Sequence, residues 1–190
     1  MRILTPLLAP LLGAALLAGC TSTAERFAVP APAAPMERQS IAYRSVELRE
    51  VSLPTYAASE EIYVRDASGA LTSSPSLLWA DDPARAMTLE MARLMGQATG
   101  ARVAREPWPF RDRAGAIVEV RVEEMQPGTD GSFRLSGQYF VASDSGTRDR
   151  SGTFALVQSF DPAGGASAVA AARGAAVRDL TAQIARDGLR

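Results

Sequence analysis

The chain of 190 residues contains no histidine and no lysine, and its only cysteine is Cys20. Those absences remove most enzyme chemistries at once: imidazole bases and metal ligands, Schiff-base lysines and, if Cys20 is otherwise engaged, thiolate nucleophiles. A lone cysteine also cannot close a disulfide within the chain. With no lysine, all 20 basic residues are arginine; they face 21 acidic residues, for a net charge of −1. No run of one sign occurs, so neither nucleic acid nor an anionic membrane surface is an expected partner. Carboxylates remain as possible catalysts. Yet helix caps, turns and exposed strand faces account for them one by one, and there is no glycine-rich phosphate loop or EF-hand spacing. The oxygens scattered over Asp144–Asp149 do not amount to a calcium loop. The expectation is a protein without catalytic activity, metal or cofactor.

What the sequence does have begins at its start. Arg2 precedes an apolar run from Ile3 to Leu17 that is interrupted by Pro6 and Pro10. This run is shorter than the ~20 residues a spanning helix needs, but it suits the core of a signal peptide. It closes on Leu17-Ala18-Gly19-Cys20, which resembles the bacterial lipobox, where a diacylglycerol is attached to the cysteine sulfur and the chain is cut just before it. Residues 1–19 are then a removable signal and Cys20 is the lipidation site and first residue of the mature protein. A plain secretory signal with an incidental cysteine is the competing interpretation. Two or three acyl chains anchor far more firmly than one, since each buried methylene contributes ~0.8 kcal/mol. Thr21 after the cysteine, where an inner-membrane signal has Asp, favours sorting to the outer membrane.

Residues 20–38 are small, polar and rich in proline and alanine, with Val29-Pro30-Ala31-Pro32-Ala33-Ala34-Pro35 at the centre. Such a segment predicts an extended tether of ~3.1 Å per residue, able to hold a domain tens of ångströms from a bilayer. No PxxP with a flanking arginine marks it as a ligand for another domain. Residues 39–190 are enough for one domain with its own core.

Within that domain, the sequence around Tyr43, Val46, Leu48 and Val51 predicts a strand, and Leu53-Pro54-Thr55-Tyr56 a turn out of it. Short strands are expected at Glu61–Arg65, Ala70–Ser73 and Arg102–Arg105. Asp82-Pro83 starts a helix, with aspartate as N-cap and proline in the first turn, and Gly100 ends it. Met87, Met91, Leu94, Met95 and Ala98 share one stripe of that helix; core packing or an adaptable surface would both use it. Trp108, between two prolines, is either buried or a partner contact. Ala116–Met125 alternates valines with charged residues, as a half-buried strand does. Turns at Asp130-Gly131 and Asp144-Ser145-Gly146 then give three consecutive antiparallel strands. A second helix follows Gly164-Gly165, with Val169, Val177, Leu180 and Ile184 inward and Arg173, Arg178, Asp179 and Arg186 mostly on the wet side. The fold class is α+β: a mostly antiparallel sheet with two helices packed on one face.

The order of short motifs carries a resemblance. The lipobox, the tether, Leu53-Pro54-x-Tyr56, Glu61-Ile62-Tyr63-Val64-Arg65, Leu78-Trp79-Ala80 leading into a helix that contains Ala92-Arg93-Leu94-Met95-Gly96, and Pro107-Trp108 together resemble the ABC-type transport auxiliary lipoprotein family, the family of paraquat-inducible protein C. After Tyr56, Ala57-Ala58-Ser59 departs from the family's usual turn. The resemblance implies an outer-membrane lipoprotein that works with an MCE-type (mammalian cell entry) transporter moving phospholipid between membranes, without catalysis of its own. It implies an MCE-domain subunit as partner and a homo-oligomer as assembly. Pro54, Tyr56 and Trp108 are its candidate partner-binding residues. A stand-alone lipid-binding or envelope-stabilising lipoprotein is the alternative.

Overall fold

The computed structural model describes residues 24–31 and 34–190. The lipobox and Cys20 therefore lie outside the described residues. The main sheet has five strands in the order β6-β2-β7-β8-β9: β2 is Ser45–Leu48, β6 Arg102–Arg105, β7 Ala116–Pro127, β8 Ser132–Ser143 and β9 Arg150–Ser159. β7, β8 and β9 form the expected antiparallel meander. β2, by contrast, is parallel to both its neighbours, β6 and β7. Helices α1 (Pro83–Thr99) and α2 (Gly165–Gln183) cover one face, as expected of this α+β arrangement.

The alternation within β7 decides which face that is. Ala116, Val118, Val120 and Val122 are buried, along with Leu135, Tyr139 and Val141 of β8 and the α1 stripe Met87, Met91, Leu94, Met95 and Ala98. The methionines are thus core, each side chain contributing roughly 1.5–3 kcal/mol by leaving water. The alternation breaks at Glu123, where the register shifts between Val122 and Glu124. Opposite the bulge stands Gly137, at which a Cβ would collide with the Arg121 carbonyl. Glu123 takes a hydrogen bond from Gln138 and Glu124 one from Gln126, so the two carboxylates are engaged separately.

Helix α1 ends where its sequence says. Asp82 accepts the Arg85 N–H at 2.7 Å, and Gly100, at φ 69°, returns its N–H to the Gly96 carbonyl. A cap of this kind is worth ~1 kcal/mol.

The main departure concerns the tether. Glu25–Phe27 form a strand, β1, that runs parallel to Leu77–Trp79, here β5. Val29 then lies against Gly174 of α2, Arg178 donates to the carbonyls of Ala34 and Pro35, and Met36 is buried. Residues expected to be a free spacer therefore form a strap on the helices, because hydrophobic side chains at Phe27, Val29 and Met36 interrupt the run of small residues. Four residue steps lead from Cys20 to Ala24, a reach of about 14 Å at full extension, in place of the tens of ångströms expected. Two short hairpin strands, β3 (Val64–Arg65) and β4 (Leu71–Thr72), complete the fold.

Candidate functional site

The sequence-derived positions fall at opposite ends of the sheet. Pro54 closes a turn by accepting the N–H groups of Ala57 and Ala58. Tyr56 directs its hydroxyl inward, where it accepts the Met125 N–H at 3.2 Å, and its ring meets Tyr63 edge-on at 6.3 Å. Burial raises the Tyr56 pKa, partly offset by that backbone hydrogen bond. Both residues thus have internal duties at the Met125 end of β7. Trp108 belongs to the other end, in a surface depression with Ile117, Ala142 and Ser143. From Ile117 to Met125 is eight residues of strand, about 27 Å. Pro54 and Tyr56 therefore do not share a site with Trp108.

Trp108 anchors a small aromatic and cationic patch. Its indole N–H donates to the Asp112 carbonyl at 2.6 Å, fixing the ring, and Phe110 packs edge-on at 4.9 Å. The Arg102 guanidinium lies 4.5 Å from the centre of the Phe110 ring and 5.8 Å from that of Trp108, and pairs with Asp112 at 2.5 Å. Phe110 remains 41% exposed. An immobilised tryptophan beside a second aromatic and an arginine has the composition of a binding hot spot, and because its rings are already held it loses little freedom when covered. The peptide bond before Pro107 is cis. The two prolines flanking Trp108 are the sequence signal for this fixed loop.

A second feature went unread in the sequence. Between the strap, Trp79 and the two helices lies a groove of about 370 Å³, walled by Phe27, Val29, Pro30 and Leu89 and closed below by Glu90 and Arg173. Arg173, expected on the wet side of α2, is 2% exposed. Its guanidinium stacks 4.9 Å from the Trp79 ring centre and donates to the Pro83 carbonyl at 3.0 Å. Burial pulls its pKa down, while the charges of Glu90 and Asp81 hold it up. Burial pushes the Glu90 carboxyl the other way, upward, against the pull of Arg173 and Arg93. Among the described residues, neither Arg173 Nε nor Glu90 Oε1 has a hydrogen-bond partner. Among the described residues no group of three or more His, Cys, Asp or Glu side chains is placed to hold a metal ion, and no helix is long and apolar enough to cross a membrane.

Comparison with known proteins sharpens the picture. Two solved structures share the fold over nearly the whole chain. One is the crystal structure of an uncharacterized protein, with TM-score 0.69 and 15% identity, covering 86% of this chain and 97% of its own. The other, a DUF330-family protein from Xanthomonas campestris, has TM-score 0.61 and 20% identity, covering 88% of this chain and 93% of its own. No curated protein matches in sequence. The profile of the ABC-type transport auxiliary lipoprotein component family matches residues 27–185, from the strap to the end of the second helix. The chain belongs to the ABC-type transport auxiliary lipoprotein component family.

Proposed function

We propose that this protein is the outer-membrane lipoprotein subunit of an MCE-type intermembrane phospholipid transport system. It catalyses nothing; it docks the periplasmic bridge to the outer membrane. The observation that carries this reading is the placement of its two ends. The strap leads back toward Cys20 from beside Trp79, which lines a small cavity with Met125, Pro127 and Phe133. The Trp108 patch sits at the opposite end of β7, next to Ile117. A chain anchored through Cys20 thus presents Trp108, Phe110 and Arg102 away from its anchor, toward the periplasm. Family membership supplies the transporter, and the lipobox supplies the membrane. Repeated subunits around a symmetric partner would follow the usual closed symmetry of homo-oligomers.

Two measurements test the reading. Cys20→Ser should give an uncleaved or soluble precursor, and a variant that stays processed and membrane-bound would remove the anchor from the account. The full chain should co-purify with the MCE-domain subunit of the same organism. A neighbourhood of MCE-domain and permease genes is the expected genomic context. If the two folded proteins do not associate at micromolar concentration, a lipoprotein working without a transporter becomes the better reading.

A further inference from the structure

The groove under the strap combines features that a purely structural crevice does not need. Its walls are apolar, and Leu89 at its margin is 40% exposed. Its floor holds two opposite charges that act on one another without a hydrogen bond between them: among the described residues, the buried arginine has no partner for Nε and the glutamate none for Oε1. Each unmade hydrogen bond in such surroundings is costly, and more so for a charged group. Arg93 lies close enough to Glu90, and Asp81 to Arg173, for their charges to act on one another, and all four line the same groove, so that positive and negative groups alternate around it.

We infer that this groove binds a phospholipid head group of the phosphatidylethanolamine type, with phosphate toward Arg173, ammonium toward Glu90, and the first methylenes of the acyl chain along Phe27 and Leu89. The match is one of charge and polarity. Inorganic phosphate or a fatty acid would set a second anion against Glu90. A choline head carries no N–H to donate to the carboxylate, and a glycerol head carries no positive charge. A free head group would leave the apolar walls unused. Rotation about the last torsion of Glu90, which is soft, presents either oxygen to the groove. The inference deepens the transport role by naming a ligand, and rests on it only for placing the protein at a membrane.

The test needs no transporter, so its failure and the failure of docking are separate results. The full chain, released from detergent micelles, is examined by native mass spectrometry with dihexanoyl phosphatidylethanolamine, phosphatidylcholine or phosphatidylglycerol, or with phosphoethanolamine alone. The expected result is one ethanolamine lipid per chain, with the other three about tenfold weaker or more, the loss of a charge-assisted hydrogen bond or of the apolar contact. Glu90→Leu should erase the preference for ethanolamine over choline. Leu89→Asp, at an exposed position that spares the fold, should weaken every lipid about tenfold. Saturable binding that is absent, equal for glycerol and ethanolamine lipids, equally strong for phosphoethanolamine alone, or untouched by both substitutions would overturn the assignment.

Discussion

Glu90 and Arg173 bring opposite charges into one corner of the molecule without joining them, and their energetics are open to direct measurement. Burial raises the Glu90 pKa above its ordinary value of 4.5, so the folded state holds that proton more tightly than the unfolded chain. A raised carboxyl stabilises nothing extra below its ordinary value, where both states are protonated. It costs stability progressively as pH rises through the folded value. Glu90→Gln removes this dependence. In thermal melts the variant should match the parent near pH 4 and gain on it as pH rises to 8; a gap that stays constant across the range would show the carboxyl to be well solvated. Arg173 was misplaced in the sequence for a related reason. Helical periodicity reports one apolar stripe, but α2 is enclosed by the sheet, α1 and the strap, and its buried alanines at 170, 172 and 176 blur the contrast that would have marked Arg173 as inward. Trp79, whose ring covers the guanidinium, offered no periodic signal because β5 is three residues long.

At the scale of elements, legibility followed length and local chemistry. Helix α1 could be read to the residue, since Asp82-Pro83 and Gly100 act within one turn of themselves. β7 to β9 were readable from alternation and from turns that join neighbours in sequence. The parallel pairing of β2 was not. It depends on hydrogen bonds between residues some 60 to 70 positions apart, to which neither alternation nor turn chemistry refers. The strap was hidden by composition, because a stretch rich in proline and alanine looks like a spacer until three hydrophobic side chains find a surface. Its attachment can be tested at Gly174. A Cβ there would lie 2.7 Å from Val29 Cγ1, so Val29 must give way and loosen its hold on the helix, while alanine within a helix gains up to ~1 kcal/mol over glycine. Gly174→Ala should therefore speed proteolytic cleavage within residues 24–31 and leave the melting temperature of the domain unchanged or slightly higher. Slow cleavage identical to the parent's would mean that the strap is not held at Val29.

For the molecule as a whole, the arrangement is polar: the strap lies beside the Trp79 end, and an aromatic and arginine patch about 27 Å away at the other. If Cys20 carries the proposed anchor, at most about 14 Å of chain lies between it and Ala24, so the domain would stand near the bilayer and its own length would supply the reach. That polarity was out of sight in the sequence, where Tyr56 and Trp108 looked like equal candidates. The structure separates them, because the Tyr56 hydroxyl is occupied by Met125 whereas Phe110 and Arg102 extend the surface around Trp108. The most direct measurement is the affinity of the full chain, reconstituted in liposomes through its anchor, for the MCE-domain subunit of the same organism. It should be made alongside Trp108→Ala, Phe110→Ser and Tyr56→Phe, with melting temperatures recorded for each. The account predicts saturable binding that Trp108→Ala and Phe110→Ser weaken by about tenfold or more, the loss typical of a buried aromatic anchor, and that Tyr56→Phe leaves within twofold or so of the parent. Binding unaffected by both substitutions at the Trp108 end, or no binding by the folded parent, would contradict it.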